Sequence, residues 1–155
     1  MEKNDVLFSH TSYNIIDAKN KIISSRLAKK KITFQDLIKS CDIGLSTVIM
    51  KLSLLNRNKL LFPNIKTKED YVLWLKIIKK IKTLRGINNK LTYYRKTKGS
   101  LSSNKLLSLI NGYKVYRNYM NYGLMKSLFF LLILSFNFLK KAAINFFDIN
   151  KRSKI

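Results

Sequence analysis

Thr67-Lys68-Glu69-Asp70-Tyr71-Val72-Leu73-Trp74-Leu75-Lys76-Ile77-Ile78-Lys79-Lys80-Ile81-Lys82 is the stretch on which the fold turns. It predicts a helix running to about Lys82. Thr67 is placed to cap it, acids fill the first turn and lysines fill the last, which suits the helix dipole at both ends. At helical spacing Tyr71, Leu75, Ile78 and Lys82 share one face, and Trp74, Ile77 and Ile81 lie on the adjoining one. Just upstream, Leu61-Phe62-Pro63-Asn64 reads as a turn, because Pro63 blocks a helix or a central strand.

Working outward toward the N-terminus, residues 43–50 (Ile-Gly-Leu-Ser-Thr-Val-Ile-Met) are β-branched and follow a glycine, and are expected to form a buried strand. Thr33 can cap a helix start at 33–38, with Asp36 three residues on. Residues 6–16 mix aromatic and β-branched side chains with Ser and Thr. They read as a strand, paired with Ile22-Ile23-Ser24 across Asp17-Ala18-Lys19-Asn20. Toward the C-terminus, Leu91-Thr92-Tyr93-Tyr94-Arg95 reads as a short strand, followed by the polar loop 96–100. A helical tail is expected from near Ser102-Ser103-Asn104-Lys105 to about Phe147, with a break near Gly123. Few strands plus helices make an α+β fold.

The tail carries an apolar run, residues 127–139, between Lys126 and Lys140-Lys141. Thirteen residues including Asn137 fall short of the ~20 a spanning helix needs. Two readings stand side by side: a buried helix, or a helix lying in the plane of a membrane surface with flanking lysines.

Composition bounds the rest. The chain has 155 residues, 46% hydrophobic and 25% charged, enough for one domain with a core of its own. Its net charge of +23 favours polyanionic partners. Yet only Arg26, Arg57, Arg85, Arg95, Arg117 and Arg152 are arginines, and the remaining cations are lysines beside many Asn and Ile. That mixture follows AT-rich codons. Arginine, the residue whose planar fork reads phosphates and guanines, is scarce, which argues against nucleic acid as the partner. One cysteine, Cys41, and one histidine, His10, leave no disulfide and no zinc cluster of the His/Cys kind. The polar N-terminus carries no apolar signal core, so a cytoplasmic location is expected.

Only eight acids are present: Glu2, Asp5, Asp17, Asp36, Asp42, Glu69, Asp70 and Asp148. None form an Asp-x-Asp pair. Glu69-Asp70 is the one adjacent pair. Its chemical reading is a general base that takes a proton from a hydroxyl nucleophile. On spacing alone the favoured reading is structural: Asp70 completes a capping box with Thr67, Glu69 favours the dipole, and the helix N-terminus lowers the carboxylate's pKa.

The ordered set Ser12-Tyr13, Ile43-Gly44-Leu45-Ser46-Thr47-Val48, Phe62-Pro63, Glu69-Asp70-Tyr71-Val72-Leu73-Trp74-Leu75, Tyr94-Arg95 and Gly99-Ser100-Leu101-Ser102 resembles the C-terminal, acceptor-side half of bacterial family-2 glycosyltransferases, from about Phe8 to Lys141. The resemblance implies part of a GT-A fold and an inverting transfer from a nucleotide-sugar to a cell-surface glycan or lipid-linked acceptor. It implies Asp70 as the catalytic base, Glu69 and Trp74 shaping the acceptor pocket, and Arg95 near the donor diphosphate. Many relatives place a His just after the Tyr-Arg pair. Lys96, Thr97 and Lys98 stand there instead, so no metal ligand is assigned.

In such enzymes the N-terminal half is a βαβ nucleotide-binding unit ending in an Asp-x-Asp region that holds a divalent metal, and nothing here corresponds to it. The expectation is therefore a partial glycosyltransferase domain over 1–123, inactive alone, and a basic hydrophobic helical tail over 124–155. No cofactor is expected in this chain, since metal and nucleotide-sugar would require the missing half. The expected partners are a chain supplying the donor-binding half or a second copy, the acceptor, and an anionic surface on the inner face of the membrane. The competing class is a basic membrane-surface module without catalysis.

Overall fold

The computed structural model of the chain describes residues 6–97, 99–100 and 104–152, with side chains described as far as residue 144. The described elements are β1 (Phe8–Ile16), β2 (Ile22–Arg26), β3 (Lys31–Thr33), α1 (Phe34–Leu37), β4 (Val48–Met50), α2 (Leu52–Asn58), α3 (Glu69–Ile81), β5 (Thr83–Arg95), α4 (Lys105–Lys114) and α5 (Leu124–Arg152). The fold is α+β, as expected.

β1 is the middle of the sheet. Along one edge it pairs antiparallel with β4 through Phe8–His10 and with β2 through Tyr13–Ile16. Along the other it pairs in parallel with β5, which in turn pairs antiparallel with β3. The β1–β2 hairpin forms where the turn residues predicted it. The Asp17 Oδ1 accepts from the backbone N–H of Lys19 at 2.8 Å and of Lys21 at 2.9 Å, and Asn20 takes a left-handed conformation (φ 66°). Thr33 caps a helix as expected, and Asp36, placed there to complement the dipole, also closes a reciprocal capping box, although the helix it opens, α1, is only four residues long.

The strand expected over residues 43–50 divides. Ile43 is buried, but Leu45–Thr47 make a 3-10 turn and only Val48–Met50 are strand. The cause is local. Thr47 donates both its backbone N–H and its hydroxyl to the Gly44 carbonyl, at 3.0 and 2.7 Å, which curls the chain before the edge strand starts. The strand expected over 91–95 is the second half of a much longer one that begins at Thr83. Gly86 and Asn88-Asn89 made its first half read as non-strand. β1 supplies the backbone partners that hold it there, with the register slipping between Thr11 and Tyr13.

α3 is the core. Tyr71, Val72, Leu73, Trp74, Leu75, Ile77 and Ile78 are all buried, so apolar contact surrounds the helix and is not confined to two adjoining faces. Trp74 meets Phe8 of β1 edge-on, with centroids 5.1 Å apart. On another side the Tyr71 hydroxyl donates to the Leu37 carbonyl (2.9 Å) and the Tyr116 hydroxyl to the Ile38 carbonyl (2.9 Å). Tyr116 lies in a π-helical segment, Val115–Tyr119, that prolongs α4. The two phenol oxygens are 3.2 Å apart, and these bonds satisfy carbonyls at the C-terminal end of α1.

The tail follows the expected outline and exceeds the expected length. α4 starts after the cap Asn104, whose side chain accepts from the Leu107 N–H at 2.9 Å. Lys98 and residues 101–103, which include part of the predicted loop and helix start, lie outside the described residues. The chain breaks near Gly123, and α5 then runs to Arg152. Its apolar window, Leu124–Ile144, is 21 residues, long and apolar enough to cross a membrane by length and composition. The thirteen-residue run undercounted it, because Leu124, Met125, Ala142, Ala143 and Ile144 extend the apolar character past the lysines.

Gly86 is the tightest backbone approach in the sheet. Its N–H donates to the Lys30 carbonyl at 3.1 Å, and an added Cβ would lie 2.2 Å from the Lys29 oxygen and 2.9 Å from His10 Nε2. Around Gly123, by contrast, an added Cβ would meet nothing within 4 Å. Gly86→Ala should therefore cost roughly 1–3 kcal/mol or more by overpacking, whereas Gly123→Ala should change stability by less than about 0.5 kcal/mol. Urea unfolding midpoints of the two variants check this, and equal midpoints would refute the close contact.

Candidate active site around Asp70

Asp70 and Glu69 occupy the first turn of α3, and both are half-buried. The expected capping box is not formed. The N-cap is Lys68, in a left-handed conformation (φ 67°) and without a side-chain cap bond. Thr67 faces elsewhere, its hydroxyl accepting from Asn111 Nδ2 of α4 at 2.8 Å. The left-handed turn at Lys68 rotates Thr67 off the helix axis, which is why spacing alone misassigned it. Asp70 consequently keeps a carboxylate free of the reciprocal cap, and its Oδ1 accepts from the adjoining Tyr71 N–H at 2.7 Å.

The electrostatics also differ from the sequence expectation. Burial pushes the Asp70 carboxyl above its usual 3.8, outweighing the Tyr71 N–H bond that lowers it, and the neighbouring Glu69 charge pushes the same way. Lys68 pulls in the opposite direction without prevailing. A helix N-terminus favours the anion, but a half-enclosed carboxylate beside a second acid is disfavoured more. A base is improved by such a shift, because its affinity for a proton rises.

Trp74 lies one turn further along, wholly buried against Phe8. It is part of the core beneath the site, and its indole N–H finds no hydrogen-bond partner among the described residues. Arg95 ends β5, and its Nη1 donates to the Asp17 carbonyl in the β1–β2 turn at 3.2 Å. Arg95 is thus tied to the β1–β2 hairpin turn.

Sequence reasoning missed the residues that join the tail to this region. Lys141 of α5 bonds and ion-pairs with Asp42 and bonds Ser40, and Asn137 Nδ2 donates to the Lys39 carbonyl at 3.0 Å. The signal available was a lone Asn inside an apolar run, which needs a partner when packed. His10 is buried on β1. Among the described residues no three His, Cys, Asp or Glu side chains gather as a metal site.

Comparison with known proteins bears on what this arrangement belongs to. No family model matches the chain. It is 39% identical over 111 residues to the UDP-Glc:alpha-D-GlcNAc-diphosphoundecaprenol beta-1,3-glucosyltransferase WfgD of Escherichia coli, covering 70% of this chain and 42% of the relative. It is 29% identical over 142 residues to the putative teichuronic acid biosynthesis glycosyltransferase TuaG of Bacillus subtilis, covering 91% of this chain and 56% of the relative. An uncharacterized glycosyltransferase of Rickettsia felis is 38% identical over 103 residues, covering 64% of this chain and 17% of the relative. The protein is thus a partial glycosyltransferase-like chain, homologous to bacterial glycosyltransferases over most of its own length. It spans about half the length of the first two relatives.

The raised carboxyl makes a prediction with a definite sign. The folded state holds the Asp70 proton more tightly than the unfolded chain, so its stabilising contribution is present below about pH 3.8 and lost as pH rises through the folded pKa. Asp70→Asn should therefore be more stable than the parent at pH 7, and the difference should vanish as the pH is lowered below about 3.8. Urea midpoints across that range check it. Greater stability of the parent at pH 7 would mean that Asp70 serves as a cap after all.

Proposed function

We propose that the chain is the acceptor-side part of an inverting family-2 glycosyltransferase of the GT-A kind, acting on a glycan or lipid-linked acceptor. Asp70 is its base. The observation that carries the reading is the half-buried Asp70 carboxyl, held above its usual pKa at the start of a rigid core helix, in a chain homologous to glycosyltransferases.

In the proposed step an acceptor hydroxyl loses its proton to the Asp70 carboxylate as its oxygen bonds to the anomeric carbon of the sugar. The bond from that carbon to the diphosphate breaks, and its electron pair leaves with the nucleoside diphosphate. Glu69, beside Asp70, is placed to contact the acceptor. Trp74, being buried, would act on the acceptor pocket by fixing α3 from beneath. Arg95 would reach a donor diphosphate only if the donor were bound at the hairpin end of the sheet. The nucleotide-sugar and any divalent metal would be held by residues outside this chain, from a donor-binding half or from a second copy. A proton-accepting group contributes ~100- to 10,000-fold, well below a whole enzyme's acceleration, so no transfer is expected from this chain by itself. The name of the E. coli relative describes an undecaprenol-linked acceptor, which supports a lipid-linked acceptor. The alternative, a membrane-surface module without catalysis, is favoured by the apolar face of α5 described below.

Co-purification of this chain with a donor-binding polypeptide from the same source, followed by transfer from a radiolabelled nucleotide-sugar, tests the reading. Transfer should require both, and Asp70→Asn should lower the rate by roughly 100- to 10,000-fold with donor affinity unchanged. Normal transfer by Asp70→Asn would eliminate Asp70 as the base. A complex that binds donor and never transfers would favour the non-catalytic module.

A further inference from the structure

α5 has two opposite faces with different fates. Inward, Ser127 and Leu134 are buried, and Phe130 stacks against Tyr116 and Tyr122 at 5.7 and 5.5 Å between centroids. Leu131 and Leu134 approach Gly112 of α4 closely, and an added Cβ there would lie 3.0 Å from Leu131 Cδ1. Asn137 and Lys141 continue the same face to their partners Lys39, Ser40 and Asp42. Outward, Met125, Leu128, Phe129, Leu132, Phe136 and Leu139 are exposed. At 3.6 residues per turn these six fall within an arc of about 100°, a continuous apolar stripe. Lys126 and Lys140, both exposed, stand along one side of it.

A stripe of this length is more than the scattered apolar surface of an ordinary monomer, and it marks an interaction site. We propose that the outward face of α5 is a docking surface for an anionic lipid bilayer, on which the helix lies in plane and does not cross. Charge complementarity selects the partner. The chain carries +23, and lysines flank the stripe where they can reach headgroups while their stems cover apolar surface. The inward face excludes a span. Although the window Leu124–Ile144 is long enough, crossing would carry the Lys141–Asp42 pair and the Lys39 carbonyl into hydrocarbon with the loop that bears them, or else break them. Within Leu124–Ile144 only Ser127 and Leu134 are buried, so the opposite reading, a wholly buried core helix, also fails.

One consequence rests on the function proposed above. α4, clasped by α5, holds Thr67 through Asn111, two residues before Glu69-Asp70. The docking face and the candidate base therefore belong to one packed unit, with the base held at a constant height above the lipid surface. The docking itself does not depend on that function.

The test is co-sedimentation of the full chain with vesicles of phosphatidylcholine, alone and mixed with phosphatidylglycerol, followed by alkaline carbonate extraction. Binding should need phosphatidylglycerol, weaken with salt, and be released by carbonate. The double substitution Leu132→Glu, Phe136→Glu should reduce it by more than about tenfold, with the near-ultraviolet dichroism of the Trp74 core retained. Should that variant fail to fold, Met125→Glu with Phe129→Glu poses the same question one to three turns away. Undiminished binding by a folded variant would overturn the proposal. So would resistance to carbonate, which means a spanning helix, or a lipid-independent dimer abolished by the same substitutions, which means a second copy covers the face. Vesicle binding is read without any sugar transfer, so its failure and the failure of Asp70 as base are separate results.

Discussion

The structure depends on burying one helix on every side. α3 carries seven buried side chains in thirteen residues, and no single partner could cover them. At about 1.5–3 kcal/mol for each large apolar side chain removed from water, this is the largest favourable term the chain has. Three covers are needed. The sheet supplies Phe8 and Leu84, α1 and its following turn supply Leu37, Ile38 and Ile43, and the segment after α4 supplies Val115, Tyr116 and Met120. The paired tyrosines are the polar part of that closure. Two phenols buried with α3 would be costly without partners, and the Leu37 and Ile38 carbonyls would be equally costly without donors. Each satisfies the other, and α1 is set in place by it.

The site inherits its character from this helix. A carboxylate on a loop would be solvated and ordinary. Asp70 begins a helix that is immobilised along its length, so its carboxyl is held half out of water next to Glu69, and burial outweighs the helix dipole. The turn that delivers it is equally constrained: Lys68 takes a left-handed conformation and Thr67 is tied to Asn111. The geometry of the acidic pair is thus set partly by α4, more than thirty residues away in sequence.

The same economy shapes the periphery. β4 is three residues long, pairs only with β1 among the described strands, and exposes Ile49. A short edge strand of this kind offers few unpaired backbone groups to another chain. α5 covers the tyrosine side of the core with one face and leaves the other apolar, so tail and body are one packed unit, although the tail reads as a separate segment in sequence.

The sequence by itself determined what is local and periodic. The β1–β2 hairpin followed from Asp17 and Asn20 between two apolar runs, the helix start at Thr33 followed from a capping residue with an acid three positions on, and α3 followed from a 3.6-residue pattern framed by acids and lysines. The candidate base was legible as the one adjacent acidic pair, and the relation to glycosyltransferases was legible in short motifs kept in order. Tertiary structure alone decided the rest. Gly86 and Asn88-Asn89 look like strand breakers, yet β5 runs through them because β1 supplies partners that no propensity encodes. Thr47 curls back onto Gly44 where β-branching suggested a strand. Thr67 left the cap of α3 for Asn111, and Asp70 gained a raised pKa in place of a lowered one, because burial depends on what packs nearby and a helix N-terminus depends only on the chain's own course. The two faces of α5 were indistinguishable in a uniformly apolar run, since tertiary contacts choose which side turns inward: Phe130 against Tyr116 and Tyr122, Leu131 and Leu134 against Gly112, and Asn137 and Lys141 against a loop about a hundred residues away.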